Sequence, residues 1–154
     1  MHTLEDVVPH VIDATREIFT GMIMMDVSQA GDPMDTLGSL DDSITGMVGL
    51  AGRYRGMLAV HFPRTLALAI TSNFLGVEVD ELNEDVEDAV GEIANMLGGN
   101  VKTFLSDEGK EIQLSIPSTI SGENYTFLYQ EDVNQVVIPF QAGEEIFHVE
   151  LELE

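Results

Sequence analysis

Residues 84–105, EDVEDAVGEIANMLGGNVKTFL, read as one long helix, and the rest of the chain is arranged by where that helix must lie. At about 100° per residue, Val86, Val90, Ile93, Leu97, Val101 and Phe104 fall on one side, the side that must meet a core. Asp88, Glu92, Asn95 and Gly99 fall together on nearly the opposite side. Asn83 is placed to accept a backbone N–H at the start, and Glu84, Asp85, Glu87 and Asp88 put negative charge where the helix dipole favours it. Lys102 and Lys110 stand near the negative end, and Gly109 marks a stop region.

Working outward, the first 25 residues have helical spacing from Leu4 to Ile23. Pro9 is expected in the first turn, so that the helix proper begins near Val7. Met22, Met24 and Met25 are expected as core at its end. Asp26 to Ala30 read as extended and Gly31 to Asp42 as loop. Thr45–Ala51 and Gly56–Phe62 flank a polar turn and predict a hairpin. A second helix is expected over Arg64–Leu75, entered at Pro63 and closed by a left-handed Gly76.

Beyond the third helix, strands are predicted over Glu111–Ile116, Tyr125–Gln130 and Gln135–Gln141, with turns at Pro117, Ser121-Gly122 and Asp132. The tail, His148 to Glu154, alternates apolar and acidic residues as a half-buried edge strand does. Helix, extended segment and hairpin thus occur once in each half, a loose internal duplication in which Thr45–Pro63 and Tyr125–Gln141 correspond. The fold class is α+β, a mainly antiparallel sheet covered by long helices, in one domain spanning 1–154.

Composition excludes several functions. The 154 residues carry 28 Asp and Glu against six Lys and Arg, a formal charge of −22. Such a field repels phosphate backbones and anionic lipid, so neither nucleic acid nor membrane is expected as a partner. With no cysteine there is no disulfide, thiolate ligand or thiol nucleophile. His2, His10, His61 and His148 lack metal-ligand spacing, and Asp41-Asp42 and Glu144-Glu145 read as solvated loops, so no metal site or cofactor is expected. No apolar run approaches the ~18–20 residues of a spanning helix, and acids occupy the first residues where a secretory signal would be basic; a cytoplasmic protein is expected.

The polar face of the third helix carries the chemistry. Glu92 and Asn95 are three apart and therefore neighbours, roughly 5–6 Å between Cβ atoms. Asn is a mediocre residue inside a helix, and Gly98-Gly99 each cost ~0.8–1.0 kcal/mol relative to Ala. Exposed glycines flatten a helix and let another backbone approach, so Asp88, Gly98 and Gly99 are expected to form a docking surface around the pair.

The run from Asp88 to Thr103, with the preceding residues 80–86 and the upstream Phe62-Pro63-Arg64-Thr65-Leu66-Ala67, resembles the signature region of the CheX and CheC chemotaxis phosphatases, marked by Glu-x-x-Asn. The first helix offers Glu17 followed by Thr20 and Asp13 followed by Arg16, so there is one motif, as in the CheX branch. The resemblance implies dephosphorylation of an aspartyl phosphate on a CheY-like receiver, Asn95 orienting the attacking water and Glu92 pairing with the receiver's active-site Lys. Magnesium would sit on the receiver and not on this chain. The branch also implies a homodimer formed through sheet edges. Two other readings stay open: a non-catalytic adaptor that binds a receiver or a flagellar-switch protein, and a generic acidic docking domain.

Overall fold

A computed structural model of the chain describes residues 2–106, 110–129 and 133–154. The Gly109 stop, the end of the Tyr125–Gln130 strand and the Asp132 turn lie outside the described residues. Three helices, α1 (Leu4–Ile18), α2 (Arg64–Leu75) and α3 (Glu84–Leu105), pack on one antiparallel sheet. Its strands are β1 (Val27–Gln29), β2 (Leu40–Gly52), β3 (Gly56–Pro63), β4 (Ile112–Leu114), β5 (Ser118–Tyr125), β6 (Asn134–Ala142) and β7 (Glu145–Leu153). The order is β1-β6-β7-β3-β2-β4, and β5 continues along the β2 edge that β4 begins.

That order contains the duplication. β1 of the first half borders β6 of the second, and β4 of the second half borders β2 of the first, so a pseudo-twofold passes between β7 and β3. The corresponding hairpins are therefore β2–β3 and β6–β7. The expected match of Thr45–Pro63 with Tyr125–Gln141 is displaced by one strand.

The reason is β5. It runs from Ser118 through Ser121 and Gly122 to Tyr125, so the predicted turn lies inside a strand, and residues 126–129 belong to no strand. Pairing with β5 also draws β2 back to Leu40, into the predicted loop. The acidic tail is a second correction. β7 lies between β6 and β3, fully inside the sheet, with Val149, Leu151 and Leu153 in the core. Alternation predicts which side each residue takes but not whether the polar side meets water.

Two corrections concern α1. It begins at Leu4, because Thr3 and Asp6 close a reciprocal capping box, and Pro9 therefore lies beyond the first turn. After Ile18 the chain widens into a π-helical turn, Phe19–Ile23, and Met24 takes a left-handed conformation. Met22 and Met24 consequently face solvent while Phe19 and Ile23 enter the core. There Phe19, Phe62, Phe140 and Phe147 pack ring against ring. α2 runs over the predicted residues and ends on Gly76 at a positive φ of 72°, which glycine adopts without strain.

Candidate functional site

α3 is the best-determined element in the sequence and the one that presents the site. The Asn83 side chain accepts from the Val86 N–H at 3.2 Å, the first turn is acidic, and Lys102 lies in the last. Helix propensity alone would weaken the rod at Gly98-Gly99. It is nonetheless continuous to Leu105, and local side chains bond back along it: Thr103 Oγ1 to the Gly99 carbonyl at 3.0 Å, and Asn100 Nδ2 to the Met96 carbonyl at 3.0 Å.

The buried side of α3 is wider than the predicted stripe. Ala89, Gly91, Ala94, Gly98 and Leu105 join Val86, Val90, Ile93, Leu97 and Val101, because the helix packs on the sheet and on α1 at once. Phe104 is only half-buried and lies against the rings of His2 and His10. The helix approaches β2 through missing side chains: a Cβ on Gly46 would stand 2.8 Å from the Val90 carbonyl oxygen.

The outer side carries Asp88 and Glu92, both exposed, and Asn95, half-buried. None of the three makes a hydrogen bond or ion pair with any described residue. Buried amides are paired as a rule, so a half-sunk amide left open keeps its donors and acceptor for solvent or a partner. Gly99 joins them, with open space where a Cβ would lie. Gly98 does not. It is buried, a Cβ there would lie 2.7 Å from Val48 Cγ2, and its role is close helix–sheet packing.

The sequence reading missed the wall beside this face. From the end of β4 to the start of β5 the chain runs along α3 for two turns: Leu114 lies against Gly98, and Pro117 and Thr119 against Gly91. Glycines seven apart on one helix side were the available signal. Among the described residues no group of three or more His, Asp or Glu could hold a metal ion, and no helix is long and apolar enough to cross a membrane.

A second polar group lies on the sheet face away from the helices. Thr45 Oγ1 is 2.8 Å from His61 Nδ1 and 2.9 Å from the Tyr125 hydroxyl, and His61 Nε2 is 2.8 Å from Glu150 Oε1. Serine, histidine and carboxylate in such a chain can make a nucleophile, but Thr45, His61 and Glu150 are wholly buried, and no substrate can reach them. This is a structural relay under Phe127, whose ring centroid is 5.2 Å from that of His61. It also explains why the acids of β7 do not all face water.

A family model described as chemotaxis phosphatase CheX matches residues 44–141, which include the whole of α3. The CheY-P phosphatase CheX of Thermotoga maritima is 30% identical over 83 residues, 53% of this chain and 54% of that protein, so the match spans about half the length of that relative. Among solved structures, a CheC-like superfamily protein from Shewanella sp. PV-4 is 30% identical with a TM-score of 0.84, covering 100% of this chain and 99% of the other. The CheX–CheY–BeF3–Mg2+ complex from Borrelia burgdorferi gives a TM-score of 0.81 at 22% identity, over 97% of this chain and 98% of that one, a likeness of fold alone.

Proposed function

The chain belongs to the CheX chemotaxis phosphatase family, and from that premise we propose that it hydrolyses the aspartyl phosphate of a CheY-like receiver, with Asn95 orienting the water and Glu92 docking to the receiver's active-site Lys. What supports the reading is one observation: a carboxylate and an amide one turn apart on a continuous helix, both accessible and neither bonded to any described residue. The names of the Thermotoga maritima and Borrelia burgdorferi relatives, a CheY-P phosphatase and a CheX in complex with CheY, point the same way.

The step needs little from this chain beyond placement. Water attacks phosphorus in line, the bond from phosphorus to the carboxylate oxygen breaks, and inorganic phosphate leaves a free aspartate. A neutral amide can accept from the water and donate to it without repelling a dianion, which a carboxylate in its place would do. Glu92, paired with the receiver's ammonium group, would fix the register in which Asn95 meets the phosphorus. The divalent ion would be the receiver's own. Asp88 and Gly99 complete the proposed docking face, and Gly98 lies beneath it, packed against Val48.

Replacement of Asn95 by Ala should cut the acceleration of receiver dephosphorylation by about 100-fold, the scale of losing the placement of a reacting group. Decay of a phosphorylated receiver at the wild-type rate would refute the assignment. The homodimer is proposed through β5, which among the described residues pairs with β2 alone and carries no Pro or Lys, and one acid, Glu123, along its length. Sedimentation at the mass of one chain at high protein concentration would remove that part.

A further inference from the structure

Ile116 is 87% exposed, on a link whose backbone is tied to β2 through its neighbour Ser115. Ser115 donates its N–H to the Gly49 carbonyl at 3.0 Å and accepts the Gly49 N–H on its hydroxyl at 2.8 Å. The same hydroxyl donates to the Ile116 carbonyl at 3.1 Å. Pro117 follows, confining Ile116 to extended conformations, and is itself seated against Gly91. Single exposed apolar residues are normal on protein surfaces, so exposure alone would carry nothing. Ile116 differs in that both its neighbours are held, Ser115 by Gly49 of β2 and Pro117 against Gly91 of α3, on a link that follows α3 between Gly98 and Gly91.

Asn95 lies between those two glycines on the same helix. A receiver that brings its acyl phosphate to Asn95 must come down on this stretch of α3, and the link beside it is then covered too. We infer that Ile116 is a specificity-determining anchor for the receiver, taking an aliphatic or aromatic surface beside the phosphorylation pocket. The inference rests on the function proposed above. It adds an attractive contact that the charges cannot supply, since a chain of net charge −22 offers a partner mainly long-range field. A rigid apolar anchor loses little freedom on binding and is present equally in ground and transition states.

The test uses a phosphorylated receiver on which the wild-type chain acts, with phosphate release followed against receiver concentration. Ile116→Asp should raise KM at least about tenfold, about 1.4 kcal/mol, with kcat unchanged, as loss of uniform binding requires. Ile116→Val should stay near wild type. Leu128→Asp, which adds the same charge at a 96% exposed residue elsewhere on the surface, should leave KM alone. An unchanged KM for Ile116→Asp overturns the inference, and so does an equal rise for Leu128→Asp. Conversion of Ile116→Asp to a monomer with KM intact would assign the residue to a contact between copies of this chain and overturn it as well. If the wild-type chain releases no phosphate from any receiver, the proposed function falls and this inference with it.

Discussion

Gly98 of α3 and Val48 of β2 approach so closely that a Cβ on the glycine would stand 2.7 Å from the valine Cγ2, whereas one residue further on Gly99 faces open space. Alanine is better than glycine by ~0.8–1.0 kcal/mol in a helix interior, so both replacements gain that amount locally. At Gly98 the gain is opposed by overpacking, typically about 1–3 kcal/mol. Gly98→Ala should therefore lower the unfolding free energy on balance, and Gly99→Ala should raise it by up to about 1 kcal/mol. Urea denaturation of the two variants settles the sign. If Gly99→Ala stabilises the fold and yet slows receiver turnover, the glycine is kept for docking; if both properties improve, Gly99 has no part in the face.

The relay of Thr45, His61 and Glu150 gives a prediction about stability. Glu150 is fully buried, and its second oxygen, Oε2, has no hydrogen-bond partner among the described residues. His61→Ala would remove the 2.8 Å contact to Glu150 Oε1, and breaking a buried pair from one side costs about 3–5 kcal/mol. Replacing both members, as in His61→Leu with Glu150→Met, should recover most of that loss, because the isolated charge is gone. A double variant as unstable as His61→Ala alone would mean that the pair stabilises more than its burial costs.

How far the sequence could be read follows from the same residues. The helical repeat of α3, its Asn83 cap and the outward face of Glu92 and Asn95 are local properties, and local periodicity reports them. Sheet order is not local. Nothing within His148–Glu154 distinguishes an edge strand from a central one, since Glu150 is hidden by His61, 89 residues away in the chain. Gly98 illustrates the limit from the other direction. Its weak helix propensity is visible in sequence, but whether the missing side chain makes room for a partner or for Val48 depends on how the sheet lies.

Two tyrosines on the sheet's outer face predict alkaline instability. Burial, helped by the charges of Glu150 and Glu152 and opposed by the Leu37 N–H, pushes the Tyr129 hydroxyl up to about 12, and burial also raises Tyr125. The unfolded chain loses these protons near the ordinary value of 10.0, while the folded chain holds them longer. Their stabilisation is fully present below that value and is lost as pH rises through it toward about 12. Urea midpoints followed upward from pH 8 should fall in that window, and Tyr129→Phe should flatten the fall. On the acid side, burial first and His61 second hold His148 below its usual 6.5, so stability should also decline as pH drops through that value. A midpoint constant above pH 10 would contradict the placement of both hydroxyls.

The charge imbalance predicts an unusual response to salt. Asp13, Glu17, Asp26, Glu78, Asp80 and Glu81 are all exposed, as are most of the remaining acids, and 28 acids cannot be matched by six Lys and Arg. Compaction brings these carboxylates together, so self-repulsion opposes folding more than it opposes the open chain. Screening shortens its reach from about 10 Å at 0.1 M to about 3 Å at 1 M monovalent salt. Raising KCl should therefore stabilise the fold, and each 1 kcal/mol regained should lift Tm by about 2–4 °C for a chain of this size. Most of the gain should come at low concentration, as the screening length collapses. A salt that acts by exclusion from the surface, such as sulfate, would instead continue to stabilise in proportion to its concentration. A melting temperature that stays flat or falls between low and half-molar KCl would mean that the carboxylates of this surface are far enough apart, or sufficiently paired, that their repulsion does not reach the folding equilibrium.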